Sequence, residues 1–408
     1  MQPKRSGLVL LVMCAGMFLI LLDVTVVNVA IPAITAGLRT TTAGVQWMVD
    51  GYTVALASLL LAGGTLGDRF GHRRIVLAGL PVFGAASAGC ALAATPGALI
   101  ASRVGWRAVF WINPPVVAAC LIGVLTLVRP SPRVRSVRGF DLGGLALATI
   151  ALASAVYAVI AAGDSAGSAA SAAAVVAAAS GAGFIAVERR SAAPLVPLPV
   201  FANPEFRVAN TAALIMNLTA NGTLFLLTRY LQSVRGHSAL TAGLLLLPLF
   251  APMAVLSPLV GRLVARRGPR PAMIAGATLT AAGMLGLLAV TPTAPYARVL
   301  PALAVIGLGI GTFTAPVVAA AIRAVPPDRS GLASGVNNTA RQAGTALGVA
   351  VFGAVAGAPA DPRHFVAALH VLGAASELLW LLVIVMTAAT RAGCCWSSGS
   401  GCPGPPSR

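Results

Sequence analysis

The sequence predicts an all-α polytopic membrane protein with about twelve transmembrane helices, and three observations carry the prediction. Of its 408 residues 58% are hydrophobic and only 9% are charged, far less charge than a soluble domain of this length carries. The apolar residues fall into separate runs, most near the ~20 residues needed to cross a bilayer. The basic residues, which dominate a net charge of +18, recur in short clusters between those runs. A single basic patch would suit nucleic acid; alternation with apolar runs is membrane topology.

Taken in order, the runs cover about 8–32, 45–66, 75–94, 107–128, 142–162, 168–187, 208–231, 241–260, 271–290, 298–320, 341–358 and 368–390. With the N-terminus inside, 21 of the 28 Lys and Arg fall in cytoplasmic segments, Arg341 among them. That threefold excess predicts cytoplasmic termini in a bacterial inner membrane. Only Lys4 and Arg5 precede the first run, which lacks a small-residue cleavage site and reads as an uncleaved span. Pro194, Pro197, Pro199 and Pro204 mark a cytoplasmic linker over 191–207. It divides residues 1–128 (an N-terminal bundle) and 129–190 (a further helical pair) from a C-terminal bundle over 208–390. Residues 391–408, rich in Gly, Ser, Pro and Cys, read as a disordered tail. Cys14, Cys90 and Cys120 sit in apolar runs and Cys394, Cys395 and Cys402 in the tail; no spacing suggests a disulfide framework or a metal site. No catalytic constellation and no cofactor motif stands out, so an enzyme is not expected.

Between the second and third runs lies Gly63-Gly64-Thr65-Leu66-Gly67-Asp68-Arg69-Phe70-Gly71-His72-Arg73-Arg74. A basic loop obeying the positive-inside rule explains the arginines, but not the ordered glycines or the acid. Gly64, Leu66, Asp68, Arg69, Gly71, Arg73 and Arg74 resemble the signature loop of the major facilitator superfamily. The resemblance implies a transporter of two helical bundles, with this loop as a cytoplasmic gating latch. Asp68 is placed to accept charge-assisted hydrogen bonds from arginine or from a helix N-terminus. A weaker echo, Gly261 to Arg270, repeats the pattern as Gly-x-Leu-x-x-Arg-x-Gly-x-Arg with Ala265 opposite Asp68. Parallel repeats in a two-bundle transporter produce such echoes.

Asp23 interrupts the first run, and burying an ionised group at that depth costs at least ~2.5 kcal/mol. Its context, Leu22 to Pro32, resembles the first helix of the fourteen-helix drug:proton antiporter branch, which implies a proton-coupling or substrate role. An interhelical hydrogen bond is the alternative. Gln46 to Tyr52 also resembles that branch, though Trp47 and Tyr52, near a span's end, suit interface anchors better than ligands. Glu377, in the last run, is either a second titrating site or a snorkelling group near the outer face. Gly307 to Pro316 places small residues on several faces of one helix, which favours packing. Gly331 to Gly344 resembles the branch's loop and helix in the second half, and Arg341 there either lines the pathway or anchors at the interface.

The resemblance breaks after the third run. Arg103 matches the start of the family's proton-coupling motif, yet Gly105-Trp106-Arg107 follows at once and resembles the start of the sixth helix. The fourth and fifth helices, roughly 60 residues with their loop, are thus expected to be absent. An even number missing preserves the orientation of everything downstream. The resemblance implies a monomeric proton-coupled exporter of small amphipathic molecules, with protons, substrate and lipid as its partners and no nucleic acid. An inactive or uncoupled remnant and a metabolite facilitator are the alternatives.

Overall fold

The computed structural model describes residues 66–67, 70–92, 107–127, 141–163, 166–191, 194–357 and 361–390. These residues form helices joined by short turns, with no strand among them. Ten of the twelve predicted runs fall on described helices; the first two lie outside the described residues. Six of the described helices are long and apolar enough to cross a membrane.

Helices α1 (His72–Leu92) and α2 (Arg107–Leu127) pack side by side. Val117 and Cys120 of α2 are buried against Leu80 and Phe83 of α1. Gly84 allows this approach, since a Cβ there would lie 3.2 Å from the Val117 side chain. A hydrogen bond of 2.9 Å from Asn113 Nδ2 to Ser87 Oγ links the two helices inside the apolar contact.

Helices α3 (Leu142–Gly163) and α4 (Gly167–Arg190) form the next pair. Asp141 precedes α3 and its Oδ1 accepts the Gly144 N–H at 2.7 Å, satisfying one of the donors that every helix start leaves free. The segment that follows α4 is shorter than the predicted linker. Leu195 and Val196 are buried, a 3-10 turn spans Leu198–Ala202, and α5 opens at Pro204, not at 208. Proline suits that first position because its missing N–H would have had no partner. Asn203 accepts the Glu205 N–H at 2.9 Å and donates to Ala324 O at 2.9 Å, so one cap fixes both the helix start and its neighbour.

Seven helices complete the chain: α5 (Pro204–Arg229), α6 (Ala239–Leu245), α7 (Leu247–Arg267), α8 (Arg270–Gly286), α9 (Tyr296–Arg323), α10 (Ser330–Ala356) and α11 (Pro362–Ala389). A π-helical turn, Tyr230–Val234, extends α5. The predicted run 241–260 is divided at Leu246 into α6 and α7, with Pro248 in the first turn of α7. The main core joins α5, α8, α9 and α11. At its centre Trp380 of α11 meets Phe313 of α9 edge-on, 5.0 Å between ring centroids, and donates from Nε1 to Thr219 Oγ1 of α5 at 3.1 Å. Gly307 and Gly311 face the backbone of α7, while Gly309 faces Thr280 of α8, so the predicted packing role of that glycine stretch holds.

The pair α3–α4 meets this core through α10. Val156 and Ile160 of α3 are buried against Ala346 and Ala350, and Gly163 lies over Ala354.

Candidate functional site

Three polar features stand out among these helices, and the first is the arginine-rich turn. Asp68, Arg69 and Gly64 lie outside the described residues. Leu66, Gly67 and Phe70 are helical, so among the described residues the turn narrows to Gly71. Gly71 has φ 91°, a left-handed conformation that glycine adopts without penalty. Its N–H reaches back to Gly67 O at 2.9 Å and closes the helix, and α1 starts at the next residue. Arg73 then donates to Val124 O at 3.4 Å and to Leu125 O at 2.9 Å, two carbonyls in the last turn of α2. Those carbonyls carry the negative end of the helix dipole, so a guanidinium there is favoured.

The echo repeats this geometry. Gly268 closes α7 with φ 78°, and Arg270, two residues on, donates through Nη2 to Ala388 O in the last turn of α11. Arg323 adds a bond of 3.4 Å to Val264 O, near the end of α7. The aligned residues Gly71 and Gly268, and Arg73 and Arg270, therefore do the same work in the two halves. Arg73→Ala and Arg270→Ala should each cost about 1 kcal/mol, the typical net value of such a bond. Arg74→Ala, at an exposed position in α1, should cost almost nothing. Thermal unfolding of the three purified variants beside the parent checks the ranking.

The second feature is a polar seam between α5 and α10. Asn210, Asn217 and Asn221 are spaced by seven and four residues, within about 40° of one another around α5. On α10, Asn337, Arg341 and Thr345 follow at intervals of one turn. Asn337 Nδ2 approaches Asn210 Oδ1 at 3.4 Å, and Asn221 Nδ2 donates to Thr345 Oγ1 at 3.1 Å. Beside these contacts the backbones touch: a Cβ on Gly344 would overlap Leu214 O, and one on Gly348 would overlap Leu218 O. Small residues allow such close passage of helices. Arg341 lies between the two polar contacts. Its Nε is buried without a hydrogen-bond partner, as is Asn337 Oδ1.

The helix bounds bear on two sequence expectations here. The apolar run placed Arg341 at the start of a span, in a cytoplasmic segment. The helix begins eleven residues earlier, at Ser330, which puts Arg341 roughly 16 Å along its axis. Leu332, Ala333 and Val336 in that extra length are buried against Leu195, Val196 and Phe206, so packing extends the helix where hydropathy alone would end it. Glu377 is expected either as a second titrating site or as a snorkelling group near the outer face. It lies near the middle of the 28-residue α11 and is half-buried, next to Ser376 on the buried face. Asp23 and Arg103 lie outside the described residues.

The third feature was not foreseen. Glu188, in the last turn of α4, is 4% exposed and accepts the N–H groups of Leu195 at 3.2 Å and Val196 at 3.1 Å. The carboxylate thus folds the following segment back onto α4. Asp141 stands close by, since a Cβ on Gly144 would lie 3.0 Å from an oxygen of each acid. In the sequence Glu188 reads only as an acid before two arginines at the end of a span. No cluster suited to a metal ion occurs among the described residues.

Apolar helices in two arginine-clasped groups, with polar side chains concentrated along one internal seam, define a membrane transporter built from repeats. Comparison with known proteins places it further. The sequence pattern of the Major Facilitator Superfamily matches residues 13–104 and 82–349, and the chain belongs to that family. It is 31% identical to the multidrug resistance protein Stp of Mycobacterium tuberculosis, covering 83% of this chain and 74% of that one. It is 31% identical to the tetracenomycin C resistance and export protein of Streptomyces glaucescens, covering 84% and 74%. With the lincomycin resistance protein of Streptomyces lincolnensis the identity is 32%, covering 87% and 86%. The fold is similar to that of an auto-inhibited peptide transporter of the POT family, with TM-score 0.58 at 15% identity, covering 95% of this chain and 98% of that one. The xylose transporter XylE from E. coli, in a partially occluded inward-open conformation, gives TM-score 0.50 at 15% identity, covering 93% and 97%. The alignment with Stp runs over 399 positions but draws on 83% of these 408 residues, about 339, so about 60 positions have no residue here.

Proposed function

We propose that this chain is a proton-coupled exporter of small amphipathic organic molecules, working by alternating access in a bacterial inner membrane, with both termini cytoplasmic. The observation that carries the export reading is the similarity, over more than four-fifths of the chain, to proteins named for antibiotic and multidrug resistance. Asp23 is the candidate proton carrier, with Glu377, Arg341 and Arg103 as further candidates for coupling or substrate contact. The turn from Gly64 to Arg74 is the cytoplasmic latch, Asp68, Arg69 and Arg73 holding it closed. Rocking of two bundles about a midplane site is how transporters built from repeats alternate their access.

A second reading, a weakly coupled or uncoupled remnant, has its own support. Arg73 caps α2 and Arg270 caps α11, so the repeat pairs α2 with α11, the last helix of its half. Two helices, α9 and α10, stand between α8 and α11, whereas among the described residues none stands between α1 and α2. The first half therefore lacks counterparts of α9 and α10, which agrees with the shortfall of about 60 positions against Stp and with the abrupt join at Arg103-Val104-Gly105. The pair α3–α4 brings no acid or base at mid-depth to replace what such helices carry. Cavity-lining polar groups left facing lipid would cost several kcal/mol each. The chain is therefore expected to export weakly. Expressed in a drug-sensitive, efflux-deficient host, it should give resistance above the empty vector but below a version with two helices grafted after Arg103. Resistance at vector level would mark an inactive remnant, and resistance equal to the graft's would show the missing helices to be dispensable.

A further inference from the structure

The seam between α5 and α10 has a chemical character that the export reading does not supply. Along it, Asn210, Asn217, Asn221, Asn337 and Thr345 are neutral, and Arg341 brings the single charge. Arg341 lies near the middle of α10, between the Asn210–Asn337 contact at 3.4 Å and the Asn221–Thr345 contact at 3.1 Å. Its Nε–H is buried and unbonded, and one turn away Asn337 Oδ1 is an acceptor 99% buried with its residue and also unbonded. Among the described residues no acid pairs with the guanidinium. Each unmet buried group costs about 1–3 kcal/mol, and a buried unpaired charge costs more, so such groups normally face a partner or a cavity. Asn217, Asn221, Arg341 and Thr345 are each only partly buried, so part of the seam's polar surface is accessible at the level of the guanidinium.

We propose that this seam is a substrate subsite selecting organic anions, with Arg341 binding the carboxylate or phenolate of the exported molecule. A guanidinium presents its N–H groups in a planar fork that matches a carboxylate, and charge-assisted bonds of this kind are among the strongest available in a dry site. The neighbouring asparagine amides supply donors and acceptors for polar groups beside the anion. Asn337 Oδ1 takes a donor from the same molecule, so an anion that also carries a hydroxyl or amide N–H satisfies both unmet groups together.

The inference rests on the reading of the chain as an exporter of small organic molecules, and its test separates the two. Equilibrium binding to the purified full-length chain in detergent, with no gradient imposed, is measured by fluorescence anisotropy. The probes are fluorescein and rhodamine 123, which share a xanthene frame but carry opposite charge. The parent should bind fluorescein at least about tenfold more tightly than rhodamine 123. Arg341→Gln should weaken fluorescein binding about tenfold to a hundredfold, with rhodamine 123 changed less than about twofold. Arg341→Lys, which keeps the charge and loses the fork, should fall between. A parent that binds the two probes equally, or prefers the cation, overturns the proposal, and that result needs no variant to fold. An Arg341→Gln chain that melts like the parent and keeps the preference overturns it as well. Anion binding without export in cells would sink the export reading and leave the subsite standing. Export with no anion preference would do the reverse.

Discussion

Asp23→Asn is expected to abolish export driven by a pH gradient while leaving the yield and melting temperature of the purified chain unchanged. Asp23 follows the apolar run Leu8 to Leu22 and precedes Val24 to Ile34, so apolar sequence flanks it on both sides. A carboxyl group at that depth costs at least ~2.5 kcal/mol when ionised, a cost that a structural role alone does not require. Alternation between the protonated and ionised forms is what links a proton to the opposite movement of substrate, and an amide cannot alternate. Asp23→Glu should retain part of the coupling, since the acid is preserved and only its reach changes. Coupled export retained in the Asn variant would reduce Asp23 to an interhelical hydrogen bond.

Gly348→Leu is expected to be the most damaging single substitution among the described helices. A Cβ at Gly348 would overlap Leu218 O, and one at Gly344 would overlap Leu214 O. The obstruction is backbone on both sides, so no rotamer change can relieve it; α5 and α10 must move apart. That separation would also stretch the Asn221–Thr345 bond and the contact between Val156, Ile160, Ala346 and Ala350. A cost of about 3 kcal/mol, at the upper end for overpacked cores, follows. Gly181→Leu serves as control, because nothing lies within 4 Å of a Cβ there. Detergent melting curves and the monodisperse fraction after size exclusion should separate the two variants clearly. Equal behaviour would mean that α5 and α10 do not approach as closely as described.

Much of this architecture is written in the sequence because lipid makes apolar length and basic punctuation decisive. The runs 142–162 and 168–187 coincide with α3 and α4 to within a few residues, since the apolar residues there fill almost the whole of each helix. The glycine-arginine echo was also readable, and the structure shows why it recurs: a left-handed glycine stops one helix, and an arginine two residues later caps another. Hydropathy failed where packing took over. Ser330 to Ala340, with its glycines, asparagines and serine, looks too polar to span, yet it is helical because Leu332, Ala333 and Val336 bury against Leu195 and Phe206. That extension places Arg341 eleven residues into α10 and not at its start. The asparagine seam was hidden for another reason. Asn210 and Asn337 each look like an isolated polar residue, and only the pairing of α5 with α10, across more than a hundred residues of chain, brings them together. Glu188 was unreadable because its partners are backbone N–H groups beyond the helix end, and those carry no sequence signature.

Flux through proteoliposomes with an imposed pH gradient measures directly whether substrate leaves in exchange for protons. With the purified chain reconstituted and fluorescein or ethidium trapped on one side, acidifying the opposite side should accelerate release of at least one dye. Collapsing the gradient with a protonophore should return that rate to baseline, and Asp23→Asn should remove the acceleration. Release at the same rate with and without the gradient would contradict the account and identify the chain as an uncoupled member of its family.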